Sequence, residues 1–331
     1  MITNTRDQII EYVAKHGQAR PNDLVKLLGF TNTAIHRQLR KLVLENILRK
    51  VGKPPIVFYT LSEKQDLQSQ NQIFPITKEK AINTNFLSIT PTGDLLYGVE
   101  GFIYWAKTYQ KNKSLDLLSE KYLEEIEKKE KYKTKEGLID ASVKLRDFPK
   151  AYVDKLFYQD IYSLSLFGRT KLAKLVMYAK QIEDKNLTDK VALEGKPLIE
   201  NIIKRFKIDA VCFIPPTIPR KFQFMDELEQ RLNLNLPKID LIKASAGDIL
   251  IPQKTLTSLF ERVVNAKSSI YLKNTQGRLY ANVLLIDDVA GSGASFNETG
   301  KKLKNLRIGY NKIYAFAFVG NIKGYEVIRQ I

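Results

Sequence analysis

The stretch Val283-Leu284-Leu285-Ile286-Asp287-Asp288-Val289-Ala290-Gly291-Ser292-Gly293-Ala294-Ser295 decides the fold. Its apolar start reads as a buried strand ending at Ile286. Two acids follow, and a run of tiny residues leads into a helix carried by Phe296, Thr299, Leu303 and Leu306. Small side chains let backbone N–H groups close on a phosphate, and the helix N-terminus adds spare donors and its dipole. Adjacent carboxylates accept from two sugar hydroxyls, each such charged hydrogen bond contributing roughly 1.5–3 kcal/mol. Together these features read as a cradle for a sugar phosphate. Two rival phosphate loops fit less well. A Walker A loop requires a Gly-Lys-Ser/Thr that is absent, and the dinucleotide fingerprint requires a third glycine where Phe296 stands.

Working upstream, Leu172, Leu175, Val176, Ala179 and Ile182 have helical spacing, as do Leu198, Ile199, Ile202, Ile203 and Phe206. The run Ala210-Val211-Cys212-Phe213-Ile214 reads as a short buried strand. Further helices are expected at Leu228 and Leu232, and over Leu256, Leu259, Phe260 and Val263. Strands are expected near Ile239 and from Ile313 to Val319. Alternating buried strands and helices predict an α/β fold with a doubly wound, largely parallel sheet. Ligands of such sheets sit at the carboxyl ends of the strands.

The segment 283–295 resembles the phosphoribosyl-pyrophosphate (PRPP) signature of type I phosphoribosyltransferases. More of the chain is similar to their competence-protein-F-like branch. Ile214-Pro215-Pro216-Thr217-Ile218-Pro219-Arg220-Lys221-Phe222-Gln223 resembles its proline-rich loop, and Gln253, Leu256, Glu261-Arg262 and Asn265 resemble its Gln…Leu…Glu-Arg…Asn stretch. By this resemblance Asp287 and Asp288 hold the ribose hydroxyls and Mg²⁺ carried with PRPP, and Gly291, Ser292, Gly293, Ala294 and Ser295 bind the 5′-phosphate. Thr217, Arg220 and Lys221 approach the pyrophosphate, while Lys254 and Arg262 lie on or beside a mobile loop over the site. In a transferase, Asp287, Asp288, Arg220, Lys221 and Arg262 would be the catalytic set. Gly291 stands where purine-salvage members carry an Asp that helps protonate the base, so salvage of 6-oxopurines is not expected.

At the other end, Thr5-x-x-Gln8 has capping-box spacing ahead of a first helix running to about His16. Pro21 opens a second helix that Gly29 closes. In a third, Ile35, Leu39 and Leu42 face inward, and Thr33, His36, Arg37, Arg40 and Lys41 make an outward basic face. Residues 47–51 and 56–61 read as a hairpin around Gly52-Lys53-Pro54-Pro55. This order resembles the winged helix-turn-helix family, which implies that the third helix enters the major groove while Arg49, Lys50 and Lys53 touch phosphates. A solvated basic face or a protein-interaction module is the alternative.

These signals divide the chain into a winged helix over 1–62, a linker, hairpin and helical region over 63–156, and the phosphoribosyltransferase-like domain over 157–331. In the middle, the polar run from Ser62 to about Lys80 reads as a linker, Trp105 and its aromatic neighbours read as core, and the mixed charges around Lys128 read as a solvated helix face.

The 331 residues carry 53 Lys+Arg against 36 Asp+Glu, a net charge of +17, which favours a polyanionic partner. One Cys, Cys212, excludes an internal disulfide, and with only two His a zinc site is not expected. No apolar run approaches membrane-spanning length and no signal peptide is evident, so a soluble, cytoplasmic protein is expected. The leading functional reading is a PRPP-responsive, DNA-binding regulator, DNA being preferred over RNA, and a homodimer. The alternative is a pentosyl transferase delivered to nucleic acid or a partner by the winged helix. That domain content also resembles effectors that occur beside reverse transcriptases in retron antiphage cassettes, which implies a reverse transcriptase or another member of such a cassette as a partner. A third reading is a scaffold whose site has lapsed.

Overall fold

The structure, a computed structural model, describes residues 4–62, 74–218, 220–245, 247–273, 279–308 and 311–321. Most of the expected linker, and Pro219 of the proline-rich loop, lie outside the described residues. The chain divides into two compact units, one up to residue 72 and one from residue 73.

The first unit runs α1 (Thr5–His16), α2 (Pro21–Leu28), α3 (Asn32–Leu44), β1 (Leu48–Lys53) and β2 (Ile56–Leu61). Its caps explain its boundaries. The expected capping box at Thr5 is replaced by Asn4, whose side chain accepts from the Arg6 N–H, so the cap lies one residue earlier. Thr31 caps α3 through the Ala34 N–H at 3.3 Å. Ile9, Val13, Leu24, Ile35, Leu39, Leu42, Leu48 and Tyr59 form the core. The two strands are antiparallel. Gly52 has φ +87°, and a Cβ there would lie 2.4 Å from the Ile56 carbonyl oxygen, so the approach to the hairpin turn requires glycine.

The second unit opens with α4 (Ile76–Asn85), the hairpin β3 (Leu87–Ile89) and β4 (Leu95–Tyr97), then α5 (Gly98–Tyr109) and α6 (Leu115–Glu130). Phe74, Phe86, Phe102, Trp105, Tyr122 and Phe167 meet in one aromatic cluster, with Trp105 8% exposed, so these rings are core. The charge run is not wholly solvated. Lys129 is 3% exposed and forms an ion pair with Asp160 at 3.2 Å while donating to Asn85 Oδ1 at 3.1 Å. Its place on the buried stripe of α6, beside Ile126, overrides the local charge pattern.

The central sheet comprises β5 (Ile139–Asp140), β6 (Lys155–Ile161), β9 (Ala210–Phe213), β12 (Asn282–Ala290) and β13 (Lys312–Gly320), in the order β5-β6-β13-β12-β9. All pairs are parallel except β5 with β6. Between them come the small hairpin β7 (Ser163–Leu164) and β8 (Gly168–Arg169), α7 (Lys171–Gln181), α8 (Lys185–Phe206), α9 (Phe224–Leu232), β10 (Leu241–Lys243), α10 (Leu259–Ser269), β11 (Ile270–Leu272) and α11 (Ala294–Asn305). Alternation along the strands sends Phe157, Phe213, Ile286 and Phe318 to a core shared with α7, α8 and α9. It sends Leu156, Cys212, Leu285 and Ala317 to a second core that includes Phe296 and Leu303 of α11. The sheet is thus covered on both faces.

Three details differ from expectation. β12 continues past Ile286 to Ala290, because its pairing with β13 extends to Ala290 and Gly320. No named strand forms at Ile239. Lys238 makes an isolated bridge to Val211, and the chain instead forms a separate antiparallel ribbon of β10 and β11. The sheet also recruits β5 and the start of β6, upstream of residue 157. No described helix is long and apolar enough to cross a membrane.

Candidate functional site

At the carboxyl end of β12, Asp287 and Asp288 lie in extended backbone within the sheet. The Asp288 N–H donates to Asp287 Oδ1 at 2.8 Å and the Val289 N–H to Asp288 Oδ1 at 2.9 Å. Asp288 Oδ2 accepts from the Lys180 ammonium at the end of α7, an ion pair in which the carboxylate is 7% exposed and the lysine side chain 49%. The Lys180 carbonyl in turn accepts from Arg220 Nη1 at 3.2 Å. From β10, Lys243 donates to Thr217 Oγ1 at 2.8 Å. Lys180 therefore joins Asp288 to Arg220 of the proline-rich loop, and Lys243 holds Thr217 of the same loop with its charge felt at Asp287.

The electrostatics separate the two acids. Burial, and then the charge of Asp288 beside it, pushes the Asp287 carboxyl well above its ordinary range. Burial acts on Asp288 in the same direction, but the Lys180 ammonium and the hydrogen bonds from its neighbours outweigh it and hold that carboxyl low. Lys180 is correspondingly raised, the attraction of Asp288 overcoming its burial. Lys243 is lowered by burial, which Asp287 offsets only in part. Asp288 is the anion of the pair and Asp287 retains its proton more readily.

The loop after β12 turns on Gly293, whose φ of +84° makes it the left-handed cap of α11. Ser292 Oγ accepts from the Ala294 N–H at 3.3 Å. Ser292, Gly293 and Ala294 are buried, and Gly291 and Ser295 are partly exposed. Lys144 donates to the Gly291 carbonyl at 2.8 Å. Burial lowers its ammonium to about 8, with the charge of Arg262 adding in the same direction and Asp147 opposing. On α11, Asn297 accepts from the Tyr152 N–H at 2.7 Å and donates to the Lys150 carbonyl at 3.1 Å, fixing the helix start against the segment before β6.

The remaining sequence candidates are distributed differently. Arg262 is 6% exposed, and its Nε and Nη2 both donate to the Leu256 carbonyl, at 3.1 and 2.9 Å. Gln253 Nε2 donates to the Arg262 carbonyl and to Asn265 Oδ1, and Glu261 completes a capping box with Ser258. The Gln…Leu…Glu-Arg…Asn stretch is thus one self-closing hydrogen-bonded loop leading into α10. Lys221 and Lys254 are exposed, and none of the contacts around the acid pair involves them. In the first unit Thr33, His36, Arg37, Arg40 and Lys41 line the exposed side of α3; Lys50 and Lys53 are exposed and Arg49 is half-buried.

Lys144, Lys180 and Lys243 were not singled out by sequence reasoning. In a chain with 53 basic residues, a lysine far from Asp288 in sequence carries no local mark of its destination.

Among the described residues no group of three or more His, Cys, Asp or Glu could hold a metal ion. The acid pair is met by an ammonium on Asp288, and the charge of Lys243 acts on Asp287. This donor set does not fit a divalent cation.

No protein-family model matches the chain, and no curated protein matches it. Among solved structures, the chain shows a weak likeness to a hypoxanthine phosphoribosyltransferase from Staphylococcus aureus. The two share 13% identity at a TM-score of 0.26, over 44% of this chain and 70% of that one.

Proposed function

We propose that the second unit binds PRPP and that the first is a DNA-binding winged helix, so that the protein acts as a PRPP-responsive regulator. The observation that carries this reading is the position of the paired acids. They stand near the carboxyl end of a central parallel strand, which runs on through Val289 and Ala290 into a small-residue loop and a helix N-terminus. The junction of Arg220 with Lys180, and of Thr217 with Lys243, supports the same reading by bringing the proline-rich loop to the acids. For the first unit, support comes from a helix with three buried apolar residues on one side and Arg37, Arg40 and Lys41 exposed on the other, followed by a hairpin.

Binding is favoured over turnover because Arg262, one of the cations a transferase would use, is buried against the Leu256 carbonyl. A transferase needs cations directed at the leaving pyrophosphate. Titration calorimetry with PRPP, alongside a pyrophosphate-release assay with a panel of bases and nucleic acids, tests the reading. Saturable binding without release is the expected result. Replacing Asp287 and Asp288 together by Ala is expected to abolish binding with the circular dichroism spectrum retained, and unchanged affinity would refute the ribose assignment. Release well above background would move the protein to the transferase class.

A further inference from the structure

A divalent cation such as Mg²⁺ demands near-octahedral oxygen coordination at about 2.0–2.1 Å and needs open carboxylate oxygens. The acid pair offers few. Of its four oxygens, Asp287 Oδ1 accepts a backbone N–H, Asp288 Oδ1 accepts another, and Asp288 Oδ2 accepts Lys180. The surrounding charge is also wrong for a cation. Lys180 sits on Asp288, Arg220 donates to the Lys180 carbonyl and Lys243 to Thr217, while of the two acids Asp288 is the anion, so an approaching divalent ion meets repulsion and an approaching phosphate meets attraction. The Lys180 side chain is half exposed while paired with Asp288. An ammonium has three donors, so one can hold the carboxylate while another takes a phosphoryl oxygen.

We propose that the ammonium groups of Lys180 and Lys243 stand in for a divalent cation at the acid pair, so that a pentose phosphate is held there without metal. This rests on the sugar-phosphate reading of the site and adds what balances the charge. Lys180 is a positioning residue for Asp288 as well as a phosphate donor, and Lys243 positions Thr217 through the bond between them.

The test is calorimetry of the full chain with PRPP, once in EDTA and once in excess Mg²⁺. The expected result is binding in both, with dissociation constants agreeing within about threefold. Lys180→Gln is expected to lose about tenfold or more in EDTA and to regain affinity when Mg²⁺ is added, because the vacated Asp288 oxygen then accepts the ion. Should Lys180→Gln fail to fold, Lys180→Arg, with the fold checked by circular dichroism, keeps the positive charge on Asp288 and is expected to bind in EDTA as the unaltered chain does, with no gain from Mg²⁺; binding by it only in Mg²⁺ would overturn the inference. Binding by the unaltered chain only in Mg²⁺ would overturn this inference and leave the sugar-phosphate site standing. Binding by Lys180→Gln in EDTA as tight as that of the unaltered chain would also overturn it. Absence of PRPP binding in both conditions would overturn the inference and the proposed function together.

Discussion

Lys129 shows how much one buried charge can weigh. At 3.2 Å from Asp160, and with Asn85 as a further partner, it is fully committed, and Asp160 is itself raised by burial although Lys129 pulls it down. Removing one member of such a pair leaves the other uncompensated, and Lys129→Ala is expected to cost about 3–5 kcal/mol, read from denaturant unfolding. A loss no larger than that of an exposed helix lysine would show that the ion pair contributes little. Lys144 gives a second prediction, in pH. Its ammonium, held at about 8, loses its proton as the pH rises through that value. A phosphate on the adjoining loop favours the charged form. PRPP affinity is therefore expected to fall between about one unit below and one unit above that pKa, with proton uptake on binding, and Lys144→Met should flatten the profile. A slope that survives the substitution would assign the titration elsewhere.

Among the elements, the helices and strands with strong local signals were legible in the sequence. Pro21, Gly29 and the apolar spacing of Ile35, Leu39 and Leu42 mark α2 and α3, and the run 283–286 marks β12. What was not legible depended on pairing. β12 runs on through both acids because β13 continues beside it, and β5, only two residues long, exists because Tyr158 and Phe157 offer it a ladder. The same limit governs the site. Asp287, Asp288 and the loop after them lie together in sequence, whereas Lys180 reaches Asp288 from α7 and Lys243 reaches Thr217 from β10, which local pattern cannot foretell. The Arg262 stretch was legible as a motif but not in its contacts, since hydrogen bonds closing a loop on itself leave no spacing different from that of a ligand-facing set. At α3, the exposed basic side carries a prediction of its own. Arg37→Ala is expected to weaken DNA binding and to reduce the slope of log affinity against log salt by about 1. Weakened binding with an unaltered slope would mean that Arg37 contacts no phosphate.

Considered as a whole molecule, the chain joins a small helical unit with an exposed basic helix to a larger α/β unit, and its charge of +17 suits anionic partners for either. The five-stranded sheet also bears on solubility. Its interior strands carry buried apolar runs at 156–158, 283–286 and 313–319, yet one margin ends in the two-residue β5 and the other in the four-residue β9. Margins so short give another chain little backbone to template on. Deleting residues 139 and 140 would bare Phe157 and Tyr158 along a longer unpaired ladder, and the shortened protein is expected to precipitate at concentrations where the intact one stays clear, as light scattering would record. So small a selvage keeps a fabric of sticky threads from being stitched to its neighbour.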